Sequence, residues 1–248
     1  MKKAWKCCSA LMLTAMILMM MVGCLGGKGI EIESGDFIFS STNGEIFYLS
    51  KLTEEGKKKR VLIVPEEIEG HQIKGISNKS FVGPLPIGQS ENLERIYLPW
   101  DMYVYELSFC ECDNLSSIFI LSYRGAQDAQ FLYVFDRKVY ISRYVYDDYP
   151  QLAKDYFFLC PANITYYYND GRTENYGCYW LDNVPYGSVL DVLPPEDPVS
   201  EGKTFSGWYK EPECINAWDF EVDTTPAEKL DEDGNVIYQE TALYAKWL

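Results

Sequence analysis

The sequence predicts a mainly β protein, in which a short repeat solenoid with a cap at each end is followed by a small β module. Three observations support this fold class. Short apolar segments recur about 22 residues apart in the first part of the chain. Tyr and Trp alternate with turn residues in roughly the last 85 residues, and helix start signals are almost absent there.

The composition excludes several classes of function. The chain has 248 residues, with 22 Lys and Arg, 37 Asp and Glu and one histidine. Beyond the first 23 residues, 19 basic and 37 acidic residues leave a net charge of −18. We expect no nucleic-acid partner, because phosphate binding needs a basic surface. A single histidine, His71, excludes metal sites built on two imidazoles, and we expect neither a metal nor another cofactor.

The N-terminus has the features of a secretory signal peptide over residues 1–23. Three lysines precede an uncharged run from Ala10 to Val22, which is shorter than the roughly 20 residues of a membrane-spanning helix. The sequence Met21-Val22-Gly23-Cys24 resembles the bacterial lipobox, which implies that Cys24 is lipidated and becomes the mature N-terminus. Residues 24–36 then form the lipidated N-terminus and a spacer. The alternatives are an ordinary cleaved signal and an uncleaved short anchor.

Residues 37–160 contain the repeats. The segment Asn92–Pro99 recurs in outline as Asn114–Ile120, an offset of 22 residues that lies in the range of leucine-rich repeats. Val61–Pro65 matches the first of these segments, and Lys138–Ile141 offers a further strand. Together they resemble the BspA-type leucine-rich repeat, which implies a short leucine-rich-repeat solenoid. Because stacked repeats leave apolar ends, we expect a cap at each end.

Two segments can serve as these caps. Thr42-Asn43-Gly44 lies between the apolar runs Phe37–Phe39 and Ile46–Leu49, and Asn-Gly in this setting is the strongest short hairpin signal. We expect this hairpin to cover one end of the solenoid. Residues 122–160, with a helix predicted to begin near Asp148, are expected to close the other end.

Residues 161–248 follow a different pattern, in which short aromatic strands are separated by turns. They resemble the internalin-type B repeat in three segments: Phe205–Lys210, Trp218–Phe220 and Ala242–Trp247. The resemblance covers roughly residues 165–247 and implies a small β-grasp-like module of the kind found on bacterial surface proteins. The insert from Pro226 to Gln239 departs from the pattern of that repeat.

No catalytic or metal site is predicted. The repeat pattern places Cys112 in the core, and the five cysteines beyond the lipobox cannot all pair within the chain. One bridge, between Cys178 and Cys214, remains open as an alternative. His71 is expected in an exposed turn, without a neighbouring nucleophile or acid. The acidic run Asp231–Asn235 favours a hairpin turn, because its glycine is not at the position that a calcium loop needs.

The repeat alignment predicts a ligand-binding stripe on the solenoid. In a leucine-rich-repeat strand the apolar residues on either side of the centre point inward, and the central residue points outward. The four outward residues are Ile63, Tyr97, Phe119 and Tyr140. A row of large apolar side chains on an acidic protein indicates a contact surface. The alternative is that the hairpin, residues 122–135 or the C-terminal module covers the stripe.

These features predict an extracytoplasmic protein, lipid-anchored to the bacterial cell membrane and not an enzyme. Its predicted role is extracellular protein–protein interaction or adhesion. One alternative is a surface glycan-binding protein, and another is a wall-polymer hydrolase that uses acidic residues. The expected partner is therefore an extracellular protein or glycan, and the membrane is a partner only through the lipid anchor.

Overall fold

The computed structural model describes residues 29–76, 90–99, 109, 112–121, 137–148 and 159–248. Over these residues the chain is mainly β, with one short α-helix and two 3₁₀ turns. The signal peptide, Cys24, Cys110 and most of the predicted closing cap lie outside these ranges. No helix within them is long and apolar enough to cross a membrane.

Fourteen strands form three sheets in this part of the chain. The helix, α1, spans Arg143–Asp148. In chain order the strands are β1 (Ile30–Ser34), β2 (Phe37–Ser41), β3 (Phe47–Leu52), β4 (Val61–Ile63), β5 (Glu67–Ile68), β6 (His71–Ile76), β7 (Arg95–Leu98), β8 (Ser117–Ile120), β9 (Lys138–Ile141), β10 (Leu159–Pro161), β11 (Ile164–Tyr167), β12 (Cys178–Asp182), β13 (Phe205–Tyr209) and β14 (Thr241–Trp247).

The first sheet contains the predicted hairpin and has the strand order β1-β2-β3-β6-β5. Strands β2 and β3 are antiparallel, so the prediction of a hairpin around Asn43-Gly44 is confirmed. Gly44 has a φ of 79°, a left-handed conformation that residues with a side chain rarely adopt. Strand β1 adds a further antiparallel strand, in which Ile30 lies opposite Ser41, so the prediction of a spacer over residues 24–36 is wrong for Ile30–Ser34.

The second sheet is parallel and has the order β10-β9-β8-β7-β4. Equivalent positions of the four predicted strands pair in register, and Leu62, Ile96, Ile118 and Val139 form one row across the sheet. All four side chains in this row are fully buried. The strand positions and the inward-facing row predicted from the repeat spacing are therefore confirmed.

The third sheet belongs to the C-terminal module and has the order β12-β11-β14-β13. Its central strands β11 and β14 are parallel, with Tyr166 opposite Leu243, and each has an antiparallel neighbour at its other edge. Leu243 and Ala245 are fully buried, whereas Tyr244 and Lys246, which alternate with them along β14, are only half-buried. This is the alternation expected of a strand with one face against a core.

The parallel sheet lies between the other two sheets. One face shares an apolar core with the first sheet, to which Phe39, Leu49 and Ile96 belong. The opposite face shares a second core with the C-terminal module, to which Phe119, Trp180 and Leu243 belong. The parallel sheet is thus buried on both faces.

The sequence does not predict the described helix, α1. It spans Arg143–Asp148, and the amide of Tyr146 donates to the carbonyl oxygen of Ser142. Arg143 and Asp147 form an ion pair of 2.6 Å at the i, i+4 spacing that supports a short helix. The helix predicted to begin near Asp148 falls on residues 149–153, which lie outside the described residues.

We expect Leu243→Ala to destabilise the protein by about 3 kcal/mol, because it removes a large side chain from the central strand of the module and leaves a cavity. Leu248→Ala is the matched control: Leu248 follows the same strand, and 75% of it is exposed. Chemical denaturation of both variants measures the difference. Equal stabilities would show that β14 is not part of the core.

Candidate functional site

The predicted stripe lies on the outer face of the parallel sheet, but it is not exposed. Tyr97 and Phe119 are fully buried, Tyr140 is 7% exposed and Ile63 is half-buried. Tyr97, Phe119 and Tyr140 belong to one apolar cluster with residues of the C-terminal module, and Ile63 packs against that cluster. The expectation of an exposed stripe is therefore wrong, and the structure shows its alternative, in which the C-terminal module is the cover.

Aromatic rings form a continuous stack at this contact. Tyr97 and Phe119 are nearly parallel, with ring centroids 4.4 Å apart, and Phe119 and Tyr140 follow at 5.0 Å. These distances match the strand spacing of about 4.8 Å, because the three residues occupy equivalent positions on neighbouring strands. Trp180 of the module stacks on Tyr97 at 4.7 Å. The module is therefore held against the parallel sheet by ring contacts.

A carboxyl group is buried beside this stack. Asp182, the last residue of β12, is fully buried. Its Oδ1 accepts a hydrogen bond of 2.9 Å from the Tyr97 hydroxyl and one of 2.7 Å from the Asn183 amide. Its Oδ2 has no hydrogen-bond partner among the described residues. An ionised carboxylate with an unpaired oxygen is costly in such a setting.

Burial sets the protonation of this cluster. It raises the pKa of Asp182 to about 6, although the hydrogen bonds from Asn183 and Tyr97 act in the opposite direction. Burial also raises the pKa of Tyr97 well above its usual range and that of Tyr140 to about 12. Both phenols are therefore neutral at physiological pH, and Asp182 is the group of this cluster that titrates near neutrality.

A bidentate ion pair closes the rim of the contact. The Arg95 guanidinium on β7 donates to both carboxylate oxygens of Asp191, at 3.0 and 3.1 Å. The Arg95 side chain is 22% exposed and that of Asp191 57% exposed, so the pair lies at the border with solvent. Asn183 also donates to the Tyr140 hydroxyl at 3.2 Å. Polar contacts thus connect the parallel sheet to the loop that follows β12.

The opposite face of the module sheet carries a second aromatic row. Tyr167, Tyr244 and Tyr209 lie at paired positions on β11, β14 and β13, and we call them the outer tyrosine row. The first two rings stack at 5.3 Å, and the Lys246 ammonium lies 4.7 Å from the Tyr209 ring. Tyr167 is buried and donates to Glu240 at 3.0 Å, whereas Tyr209 and Tyr244 are half-buried. This face meets solvent at two tyrosines and a lysine.

An open depression lies next to the outer tyrosine row. Its volume is about 570 Å³, and its walls include Asn169, Cys214, Lys246 and Trp247. The Asn169 amide donates to the sulfur of Cys214 at 3.4 Å. Cys178 is buried elsewhere in the module, and it forms no disulfide with Cys214. The bridge considered from the sequence is therefore absent.

The remaining candidate residues have structural positions. Cys112 is fully buried, as the repeat pattern predicts. His71 begins β6 and is half-buried, with its ring 5.1 Å from that of Phe47, so it is less exposed than expected. Leu230 and Val236 pair across Asp231–Asn235, which confirms the predicted hairpin turn. Among the described residues no three His, Cys, Asp or Glu side chains are grouped so that they could hold a metal ion.

Sequence reasoning missed two module residues at the centre of the contact, Trp180 and Asp182. Both lie in β12, in the region predicted to contain short aromatic strands, but no prediction was made for Asp182, and the partner of the buried face of that strand was not identified. One signal was available in the repeats themselves. Strands β7, β8 and β9 each carry three consecutive apolar or aromatic residues, a pattern typical of strands buried on both faces.

Comparison with protein families gives one finding. Residues 163–246 match the Listeria-Bacteroides repeat domain. This range coincides with the C-terminal module and agrees with the internalin-type repeat predicted over roughly residues 165–247. The repeat is found in surface proteins and is typical of extracellular proteins. No curated protein and no solved structure matches the chain.

We expect the module contact to become more stable as the pH falls from 7 to 5. The folded state binds a proton at Asp182 more tightly than the unfolded chain does, so this contribution to stability is fully present below about pH 4 and is lost as the pH rises to about 6. A shift of about two pKa units corresponds to about 3 kcal/mol over the whole window, of which about 1.3 kcal/mol is gained between pH 7 and pH 5.

Thermal melting of the parent chain and of Asp182→Asn between pH 5 and 7 measures this effect. The variant should show a weaker pH dependence than the parent, because a neutral amide replaces one titrating group, whereas Glu66, whose pKa burial also raises, is retained. Asp233→Asn, at an exposed hairpin turn, is the control and should melt like the parent. An unchanged pH dependence in Asp182→Asn would contradict the prediction.

Proposed function

We propose that the chain is a lipid-anchored protein of the bacterial cell surface that binds a protein partner outside the cell. The observation that carries the proposal is the match of the C-terminal module to a repeat typical of surface proteins. The lipobox-like sequence before Cys24 supports the anchor, and the acidic body argues against a nucleic-acid ligand. The proposal assigns binding, and not catalysis, to the chain.

We also propose an assignment of the two parts of the chain to repeat families. We interpret residues 37–160 as a capped BspA-type leucine-rich-repeat region and residues 161–248 as a β-grasp-like internalin-type repeat. The support for the first part is the register of the parallel sheet, in which Ile96, Ile118 and Val139 are paired neighbours at intervals of about 22 residues. The support for the second part is the family match and the four-stranded sheet.

The binding surface that we propose is the outer face of the module. The stripe on the parallel sheet is buried, so it is not available to a partner of the folded chain. The half-buried Tyr209 and Tyr244, with Lys246 and the adjacent depression, remain accessible. Tyrosine is enriched at protein–protein interfaces because it supplies a large contact area with few rotatable bonds.

One observation favours glycan binding as the second candidate function. Tyr144 of α1 and Tyr176 of the module stack at 5.3 Å, and their side chains are 46% and 38% exposed. The Tyr176 hydroxyl donates to Asp148 at 2.5 Å. Exposed stacked rings beside a carboxylate can provide a sugar with an apolar platform and a hydrogen-bond acceptor.

We expect Cys24→Ala to release the protein from the membrane, because acyl chains on Cys24 are the proposed anchor. Detergent phase partitioning of cells that produce the parent or the variant measures the change. Ser50→Ala, in β3 of the first sheet, serves as a control for expression and export. A variant that remains in the detergent phase as fully as the parent would exclude the lipid anchor.

Replacing both Tyr209 and Tyr244 with alanine should weaken partner binding. A tyrosine at the centre of an interface contributes about 2 kcal/mol, so each substitution alone should raise Kd roughly thirtyfold. The 25–248 fragment is used as bait for surface proteins and, in parallel, on a glycan array. Tyr48→Ala, a half-buried tyrosine of the first sheet, controls for general effects.

Circular dichroism shows whether these variants remain folded. Binding that survives the double substitution in a folded protein would exclude the outer tyrosine row as the contact surface. A signal on the glycan array that is lost in Tyr144→Ala would instead support the second candidate function.

A further inference from the structure

The chain enters the first sheet beside the β2–β3 turn. Ile30 is paired with Ser41, and the Cδ1 atom of Ile30 lies 3.1 Å from the position that a Cβ on Gly44 would occupy. Gly29 also lies close to the β2–β3 turn. A Cβ added to Gly29 would lie 3.3 Å from the carbonyl oxygen of Ser41. We call residues 29–30 and 41–46 the entry tip.

Two isoleucines are exposed at the entry tip. Ile30 is 48% exposed and Ile46 is 40% exposed. Single exposed apolar residues are common on soluble proteins. Ile30 and Ile46 lie together at one end of the first sheet. The chain that follows Cys24 enters the sheet at the same end.

Four backbone N–H groups of the turn donate to side chains of the turn itself. The Ser41 hydroxyl oxygen accepts hydrogen bonds from the amides of Asn43 and Gly44. The Asn43 side-chain oxygen accepts from the amides of Glu45 and Ile46. Four successive N–H groups therefore have partners. A turn of this kind can enter a less polar environment without leaving these four donors unpaired.

We propose that the entry tip rests on the lipid bilayer, with Ile30 and Ile46 at the boundary between headgroups and acyl chains. The inference rests on the proposed lipidation of Cys24. Five residue steps separate Cys24 from Gly29, which gives a reach of at most about 18 Å. The entry tip is therefore the part of the described structure with the shortest tether to the membrane.

Charge determines which lipids fit this contact. Glu45 lies at the tip, Glu31 beside it is paired with Lys51 at 3.3 Å, and the body of the protein carries a net charge of −18. An anionic bilayer repels these groups, whereas a zwitterionic one does not.

Photo-crosslinking tests the contact in the full-length, lipidated protein. p-Benzoylphenylalanine is introduced in place of Ile46 and, in a matched control, in place of Val199, which is 81% exposed in the C-terminal module. Both proteins are reconstituted in phosphatidylcholine vesicles and irradiated. We expect about tenfold more phospholipid adduct at position 46, since an interfacial contact reaches only about 5 to 10 Å into the bilayer.

The controls separate this inference from the proposed anchor. Intact mass measured on the same samples shows whether Cys24 carries acyl chains. A lipidated protein with equal adduct yields at positions 46 and 199, or with protein adducts at position 46, overturns the membrane contact and leaves the anchor intact. A protein without acyl chains overturns both. Vesicles that contain phosphatidylglycerol should lower the yield at position 46, and a higher yield would contradict the charge argument.

Discussion

Burial of both faces of the parallel sheet is the constraint on which the rest of the described structure depends. Strands β7, β8 and β9 present apolar or aromatic side chains to both sides, and parallel sheets are found almost only where both faces are covered. The first sheet covers one face and the C-terminal module covers the other. Loss of either cover would expose a continuous apolar surface, which soluble proteins rarely tolerate.

The contact between the parallel sheet and the module combines ring stacking with a small polar network. Stacked rings can slide past one another at low cost, whereas hydrogen bonds to one carboxyl group favour a single alignment. The bond from Tyr97 to Asp182 joins residues 85 positions apart, and the ion pair from Arg95 to Asp191 joins residues 96 positions apart. We therefore expect these polar contacts to favour one alignment of the module over others that the apolar contacts would allow.

The strands and their register could be predicted because they depend on local patterns. The spacing of the repeats places Leu62, Ile96 and Ile118 in one row, and the alternation in β14 identifies Leu243 as a core residue. The exposure of the stripe could not be predicted in the same way. It depends on a contact between Phe119 and a module more than 40 residues further along the chain, and the average charge of the protein says nothing about that contact.

The proposed surface was even harder to find from the sequence. The sequence around Tyr209 and around Tyr244 resembles that around the chain's other tyrosines. Only the pairing of β13 with β14 brings these two residues together. The bond between Asp182 and Tyr97 likewise depends on the direction of two strands from different sheets. Patterns within one strand identify its buried face but not what that face contacts.

The distance along the chain between the stripe and its cover has a consequence for synthesis. Tyr97, Phe119 and Tyr140 are all made before β11 begins at Ile164, and the cover is complete only when β14 has been added at Thr241–Trp247. At 5 to 20 residues per second, the roughly 80 residues from β11 to the end of β14 take roughly 4 to 16 s to synthesise. During that interval the nascent chain carries an uncovered aromatic surface, so its safe maturation depends on holding the chain unfolded or shielded until the module has emerged.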